Sequence, residues 1–471
     1  FSAYGAPINV DFGDAGATVT WGSAYFNPGI FTLNGGNATH VLTLVNPIDL
    51  GGEQRYIRLD GNASGGNRAV MGIVAGDVSN GGVVKRGGGV LIFNTSKSYE
   101  GGTIVNEGEL WLMGAGTAGA DVNGNDIQIN SNGKLYINAP SNIGSKQTVI
   151  LQNNDVSTPA ALALGPGYGT GLGITFSSWT ATGGIPGTGG NNFLIANDQS
   201  GQARRVAVTI TGTDFQADVP GLIRAVAPNV EAWFGADNSN GIFTGTTLTP
   251  SGGAVSAYRL GGNGNSSGVL TIANADVLTD AIGFVTPLIV GAPDSTARTY
   301  TQGTIYIPKS QSFSGQVTIG AGGILQVGEN GSLGGGFSDI NLRAGELRLD
   351  VAGGNFGGAL GLQYSARSLN IALATSTVRT TTLHGGGFNT VQIGDLTFDA
   401  NRTLQVLSIG TNFTDLAVNN INFANSANTV NLNVGNDNSF QAGVGILTVN
   451  GVIGDQATGL QSIQKNNGGV L

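Results

Sequence analysis

The sequence predicts an all-β fold, a right-handed parallel β-helix with a less regular lateral excursion in its middle, and three observations carry that prediction. The first is an internal repeat. The stretch from Val83 to Gly114 returns without a gap at Gly303 to Gly328, placing Gly89 on Gly303, Tyr99 on Phe313, Gly101 on Gly315, Val105 on Ile319, Gly108 on Gly322, Leu110 on Ile324 and Gly114 on Gly328. A shorter copy, Ile340 to Leu349, overlays Thr103 to Leu112 with Gly345 on Gly108. The second is composition: 81 of 471 residues are glycine and 10% are charged, against roughly 7% and 25% in ordinary domains. The third is rhythm, with short alternating strands punctuated by turns about every eight to twelve residues. A sandwich shares that spacing but has no need of a recurrent unit. A solenoid does, because each unit buries its apolar face only by stacking on its neighbours. The right hand follows from the rule for parallel connections.

In chain order, residues 1–154 read as β-helix coils. Ile30 to Leu33, His40 to Val45 and Tyr56 to Leu59 are strands between Asn-Gly, Pro and Gly-Gly breaks. The best repeat, 83–114, holds strands at Val90–Phe93, Thr103–Val105 and Glu109–Met113, and Asp126 to Ile137 adds one more strand-turn-strand unit. Residues 155–262, rich in Pro, Gly and Thr, read as the excursion, and Asp218 to Asn229 is its one stretch with helical character. Residues 263–471 return to coils and end in mid-repeat, since Ile463 to Leu471 overlays Val83 to Leu91. Alternation directs Leu91, Val105, Leu110, Leu112, Ile319, Ile324, Leu347 and Leu349 into one apolar core. The equivalent turn glycines Gly108, Gly322 and Gly345 are expected to share a backbone with φ > 0.

Composition also excludes partners and chemistries. With net charge −9, a pI near 4.7 and no basic run, nucleic acid and anionic membrane are not expected partners. No apolar run reaches the roughly 18 residues of a membrane helix. Without cysteine there is neither a disulfide framework nor thiolate chemistry. Phe1 opens the chain without an initiator Met or a signal-peptide pattern, so a mature or excised piece is expected.

The run Gly89-Val-Leu-Ile, then Ser98-Tyr99-Glu-Gly101-Gly102-Thr103, then Val105-Asn106-Glu-Gly108-Glu-Leu110, led in by Lys85, resembles the β-strand repeat associated with autotransporter passenger domains. The resemblance implies a secreted bacterial surface protein with a right-handed parallel β-helix and no catalytic residues. The second copy departs from the repeat, having Gly315-Gln-Val317 where the Gly-Gly-Thr triplet is expected.

Candidate chemistry is sparse. Gly264-Asn-Ser266-Ser-Gly268 matches a nucleophile-elbow string, with His40 and His384 as the available bases, but lacks the strand-turn-helix context. Asp395 and Asp399 form the nearest carboxylate pair for glycan cleavage. Asp121-Val-Asn123-Gly-Asn125 begins like a calcium loop, yet Asp126 stands where Gly is needed and Asn132 where Glu is needed. No cofactor or metal is expected, and no enzyme. Tyr168, Trp179, Trp233 and Phe234 are the candidate partner-binding residues, as an aromatic patch for a sugar or a protein; the competing reading packs them in the core. The expected function is an extracellular or cell-surface structural or adhesive module, part of a fibre or surface layer. The alternative is a glycan-active or glycan-binding β-helix protein. Expected partners are a further copy stacked head to tail or a continuation of the same chain, and a glycan or host-surface ligand.

Overall fold

A computed structural model describes residues 1–13, 16–60, 71–152, 159–171, 174–180, 192–197, 204–262, 268–281, 284–294, 301–328, 332–335, 339–350, 363–364, 367–373, 375–381, 389–399, 402–409, 414–423, 429–436, 445–455 and 462–466. Strands make up 50% of it and helix 4%, so the chain is all-β. It divides into two compact units, residues 1–241 with 251–254, and residues 242–250 with 255–471.

The first unit carries two parallel ladders. One runs through Ile8–Val10, Leu42–Leu44, Met71–Val74, Val90–Phe93, Gly108–Leu112, Gly133–Ile137, Ala161–Leu164 and Arg204–Phe215. The other runs through Val19–Thr20, Ile48–Arg58, Val78–Arg86, Thr103–Val105, Ile127–Ile129, Thr148–Leu151 and Asn192–Asn197. Each strand pairs with its counterparts one coil back and one coil on, which is a parallel β-helix. The period of two then places like residues above one another. Leu110 lies between Leu91 and Leu135, and Leu112 between Phe93 and Ile137, all fully buried.

Within 155–262 the strands Ala161–Leu164, Thr175–Thr180, Asn192–Asn197 and Arg204–Phe215 keep to these ladders, and the irregularity lies in length and connection. Arg204–Phe215 has 12 residues, and Thr175–Thr180 pairs on the far side of the later strand Asn192–Asn197. The expected helix forms at Val219–Val226. Asp218 caps it by accepting from the Gly221 N–H at 3.0 Å, and Pro220 occupies a first-turn position that has no intrahelical use for an N–H.

The second unit carries three parallel ladders. The first runs from Tyr258–Leu260 through Leu288–Val290, Val317–Ile319, Ile340–Arg343, Leu369–Leu373, Leu396–Phe398 and Ile421–Phe423 to Ile453–Asp455. The second runs from Val269–Ile272 through Gly303–Ile307, Gly323–Val327, Glu346–Asp350, Thr375–Thr381, Thr403–Ile409 and Thr429–Asn436 to Ser462–Asn466. The third joins Gln363–Tyr364, Asn389–Ile393, Thr414–Val418 and Gly445–Val449.

The gapless repeat holds atom for atom at its corner. The N–H groups of Ser98 and Tyr99 both donate to the Val78 carbonyl, and those of Ser312 and Phe313 both donate to the Leu278 carbonyl. Tyr99 and Phe313 are fully buried. One coil later Gly119 and Gly334 pass close over them at φ +89° and +84°, where a Cβ would come within 2.6 Å and 2.1 Å of the Tyr99 and Phe313 carbonyl oxygens.

Two expectations fail by one residue. Seven of the eight predicted core side chains are fully buried, but Ile324 is half-buried and Leu325 takes the inward position. Val105 and Leu110 are five residues apart along the chain, whereas Ile319 and Leu325 are six apart; the longer corner inverts the phase of the strand that follows. Gly108 and Gly322 have φ +65° and +75°, but in the third copy the left-handed residue is Ala344 at +65°. Gly345 is needed for space, since a Cβ there would lie 2.6 Å from the Ile319 carbonyl oxygen. The chain end, residues 467–471, lies outside the described residues.

Candidate functional site

Three of the aromatics proposed for a partner site are interior. Tyr168 is fully buried on the short turn Pro166–Tyr168 and packs 6.5 Å from the Phe193 ring, while Phe234 packs 6.3 Å from Phe215 and Trp233 is 2% exposed. None of the three offers an exposed aromatic face; Trp233 and Phe234, consecutive in the strand Val230–Phe243, are covered on its opposite faces. Trp179 lies on Thr175–Thr180 opposite Ala196, and its side chain is outside the described residues.

The interior polar groups have one recurrent use. Lys97 Nζ donates to the carbonyls of Val74 at 3.0 Å and Gly76 at 2.8 Å, one coil back, and to Thr95 Oγ1 at 2.6 Å. Asn142 Nδ2 makes the same reach to the carbonyls of Gly114 and Gly116, at 2.9 and 2.8 Å. In the second unit Gln311, which the repeat aligns with Lys97, donates to the Asn274 and Lys309 carbonyls and accepts from the Leu278 N–H. Corners of a coil turn carbonyls inward that no ladder satisfies. A long polar side chain from the next coil satisfies them.

Lys85 does this at another corner. Its ammonium donates to the carbonyls of Arg86, Gly87 and Glu107 at 2.9, 2.5 and 2.9 Å, and the residue is fully buried. Burial pulls the Lys85 pKa down to about 7, with Glu107 and Glu109 acting in the opposite sense. Burial likewise pulls Lys97 down to about 8. A buried lysine of this kind suits amine chemistry in an open cleft. Here the ammonium is fully buried and is directed to three backbone carbonyls, so the arrangement caps backbone.

The other candidates also tie coil to coil. Asp121 accepts from Ser145 Oγ and from the Lys146 N–H at 2.9 and 2.7 Å; led by the Lys146 contact, these hold its carboxyl below the usual range. Asp77 grips Ser98 and Asp280 grips Ser314 in the same way, through both N–H and hydroxyl. Asn125 caps the Tyr99 and Ala120 carbonyls. Asp395 accepts from Asn420 and Asn422 at 2.8 and 3.2 Å. His40 is engaged with Thr39 at 2.8 Å, while Ser266 and His384 lie outside the described residues. Among the described residues no group of three or more His, Cys, Asp or Glu is placed to hold a metal, and no helix is long and apolar enough to cross a membrane.

One constellation was not anticipated, and it lies on the outer face of the first unit. The register makes one row of Met71, Val90, Glu109, Lys134, Ala161 and Ala207, and a second of Ile73, Ile92, Trp111, Tyr136, Ala163 and Thr209. Trp111 and Tyr136 pack with ring centres 5.3 Å apart, and with Val90, Ile92 and Ala163 they form a cluster whose members are at most 8% exposed. Trp111 Nε1 donates to Glu109 Oε2 at 2.7 Å. Lys134 Nζ lies 3.8 Å from that oxygen and forms an ion pair with Asp237, which is 1% exposed. The sequence did carry a trace of it: Glu-Leu-Trp at 109–111 and Lys-Leu-Tyr at 134–136 occupy equivalent places in successive units. Comparison of the chain with family models, with curated proteins and with solved structures gives no match.

Proposed function

We propose that this chain is a non-catalytic structural or adhesive β-helix module, displayed outside the cell or on its surface by a bacterial surface protein and belonging to a fibre or surface layer. The observation that supports it is the use made of interior polar groups: Lys97, Asn142 and Gln311 each bind one coil to the next, which is what a load-bearing stack requires. The resemblance of Gly89 to Leu110 to the passenger-associated repeat supports the bacterial surface.

The test has two arms. Purified protein incubated with a panel of dyed polysaccharides should release no dye; release would make it a glycan-active enzyme instead. Antibody raised to the protein should label intact source cells without permeabilisation, and labelling that requires permeabilisation would overturn the surface assignment. Sedimentation across a concentration series then reads self-association, expected as growth into open-ended species if copies stack head to tail.

A further inference from the structure

We propose that Lys134 and Asp237 become joined by an amide bond that the protein forms on itself, with Glu109 carrying the proton. The reacting side chains come from strands 103 residues apart in sequence. Lys134 Nζ is already in contact with the Asp237 carboxylate, and the two side chains are 12% and 1% exposed. The residues next to Lys134 in its row on the following two coils are Ala161 and Ala207, whose small side chains leave the outer face low enough for the lysine stem to lie across it.

The setting favours the chemistry. An ion pair shut away from water bears the desolvation of both charges, and passing one proton from ammonium to carboxylate relieves it. That transfer yields a neutral amine against a carboxylic acid, the reactants of an amide. The amine nitrogen adds to Asp237 Cγ, forming the Nζ–C bond. Glu109 Oε2, 3.8 Å from Nζ and oriented by the Trp111 N–H, takes the proton that the nitrogen must lose. It returns that proton to the departing hydroxyl as the C–O bond breaks. One water leaves, no electrons are exchanged, and the summed charge of the pair is zero before and after. The neighbouring Val90, Ile92, Trp111 and Tyr136 cluster keeps bulk water from reversing the step.

Intact mass measured on the denatured wild-type protein decides the matter. The expected mass is short of the sequence mass by one water, and fragmentation should yield a branched peptide linking Lys134 to Asp237. Lys134→Arg retains the positive charge without the primary amine and should show the full mass. Asp237→Asn should lose ammonia in place of water, a signature that an ion pair would not produce. Glu109→Gln, checked for intact β structure by circular dichroism, should accumulate the unlinked form, and a Gln variant that links as completely as wild type would remove Glu109 from the mechanism. A folded wild-type protein at full sequence mass would overturn the proposal and leave Lys134–Asp237 an ion pair.

Discussion

Lys85 shows how one buried charge becomes a pH dependence. Its folded-state pKa of about 7 lies below the ordinary lysine value of 10.5, so between those values the unfolded chain holds a proton that the folded chain has released. Stability from this group therefore rises with pH across that window and is lost as pH falls toward 7. Lys97, drawn down to about 8 by burial, acts with the same sign. The urea midpoint of the wild type should rise between about pH 7 and about pH 9.5. Lys85→Met keeps the stem, removes the titration and should show a smaller rise; an equal rise in the variant would mean that Lys85 is not the source. Gly119 is a second sensitive point, because it is left-handed and a Cβ there would press on the Tyr99 carbonyl and ring. Gly119→Ala should cost at least about 1–3 kcal/mol, read as a lowered unfolding midpoint.

Among the strands, the contrast between Ile324 and Leu325 is the sharpest test of register. Leu325 is fully buried in the Gly323–Val327 strand, stacked between Ile305 and Leu347, whereas Ile324 points outward and is half-buried. Leu325→Ala should cost about 2–5 kcal/mol by leaving a cavity between coils. Ile324→Ala should cost less than about 1 kcal/mol. Chemical denaturation of both variants checks the pair, and a reversed order would restore the phase that the gapless repeat implies. The Gly108–Leu112 strand has no such ambiguity, because its corner is one residue shorter.

For the molecule as a whole, stacked coils imply stability that is local in origin and passes between nearest neighbours. Leu110 touches the core positions of the coils before and after it through Leu91 and Leu135. Leu110→Ala should raise amide hydrogen exchange in Val90–Phe93 and Gly133–Ile137, while Thr403–Ile409 and Thr429–Asn436 keep wild-type protection. Uniform acceleration across the chain would show a single cooperative block instead. The corner side chains serve the same local logic, since Lys97, Asn142 and Gln311 each satisfy carbonyls one coil away.

Alternation and recurrence, both visible in the linear sequence, determined the parallel β-helix, the inward face of seven of the eight tested positions, the Tyr99–Phe313 equivalence and the helix at Val219–Val226. These properties are legible because a strand's period of two and a helix cap are local. Four matters were decided only by the folded chain: the outward turn of Ile324, the left-handed Ala344, the interior placement of Tyr168, Trp233 and Phe234, and the meeting of Lys134 with Asp237. Each depends on how many residues a corner consumes and on which row of the neighbouring coil a strand then enters. A single added residue at a corner exchanges the inner and outer faces of the next strand, and contact between residues 103 positions apart exists only after every intervening coil has taken its register.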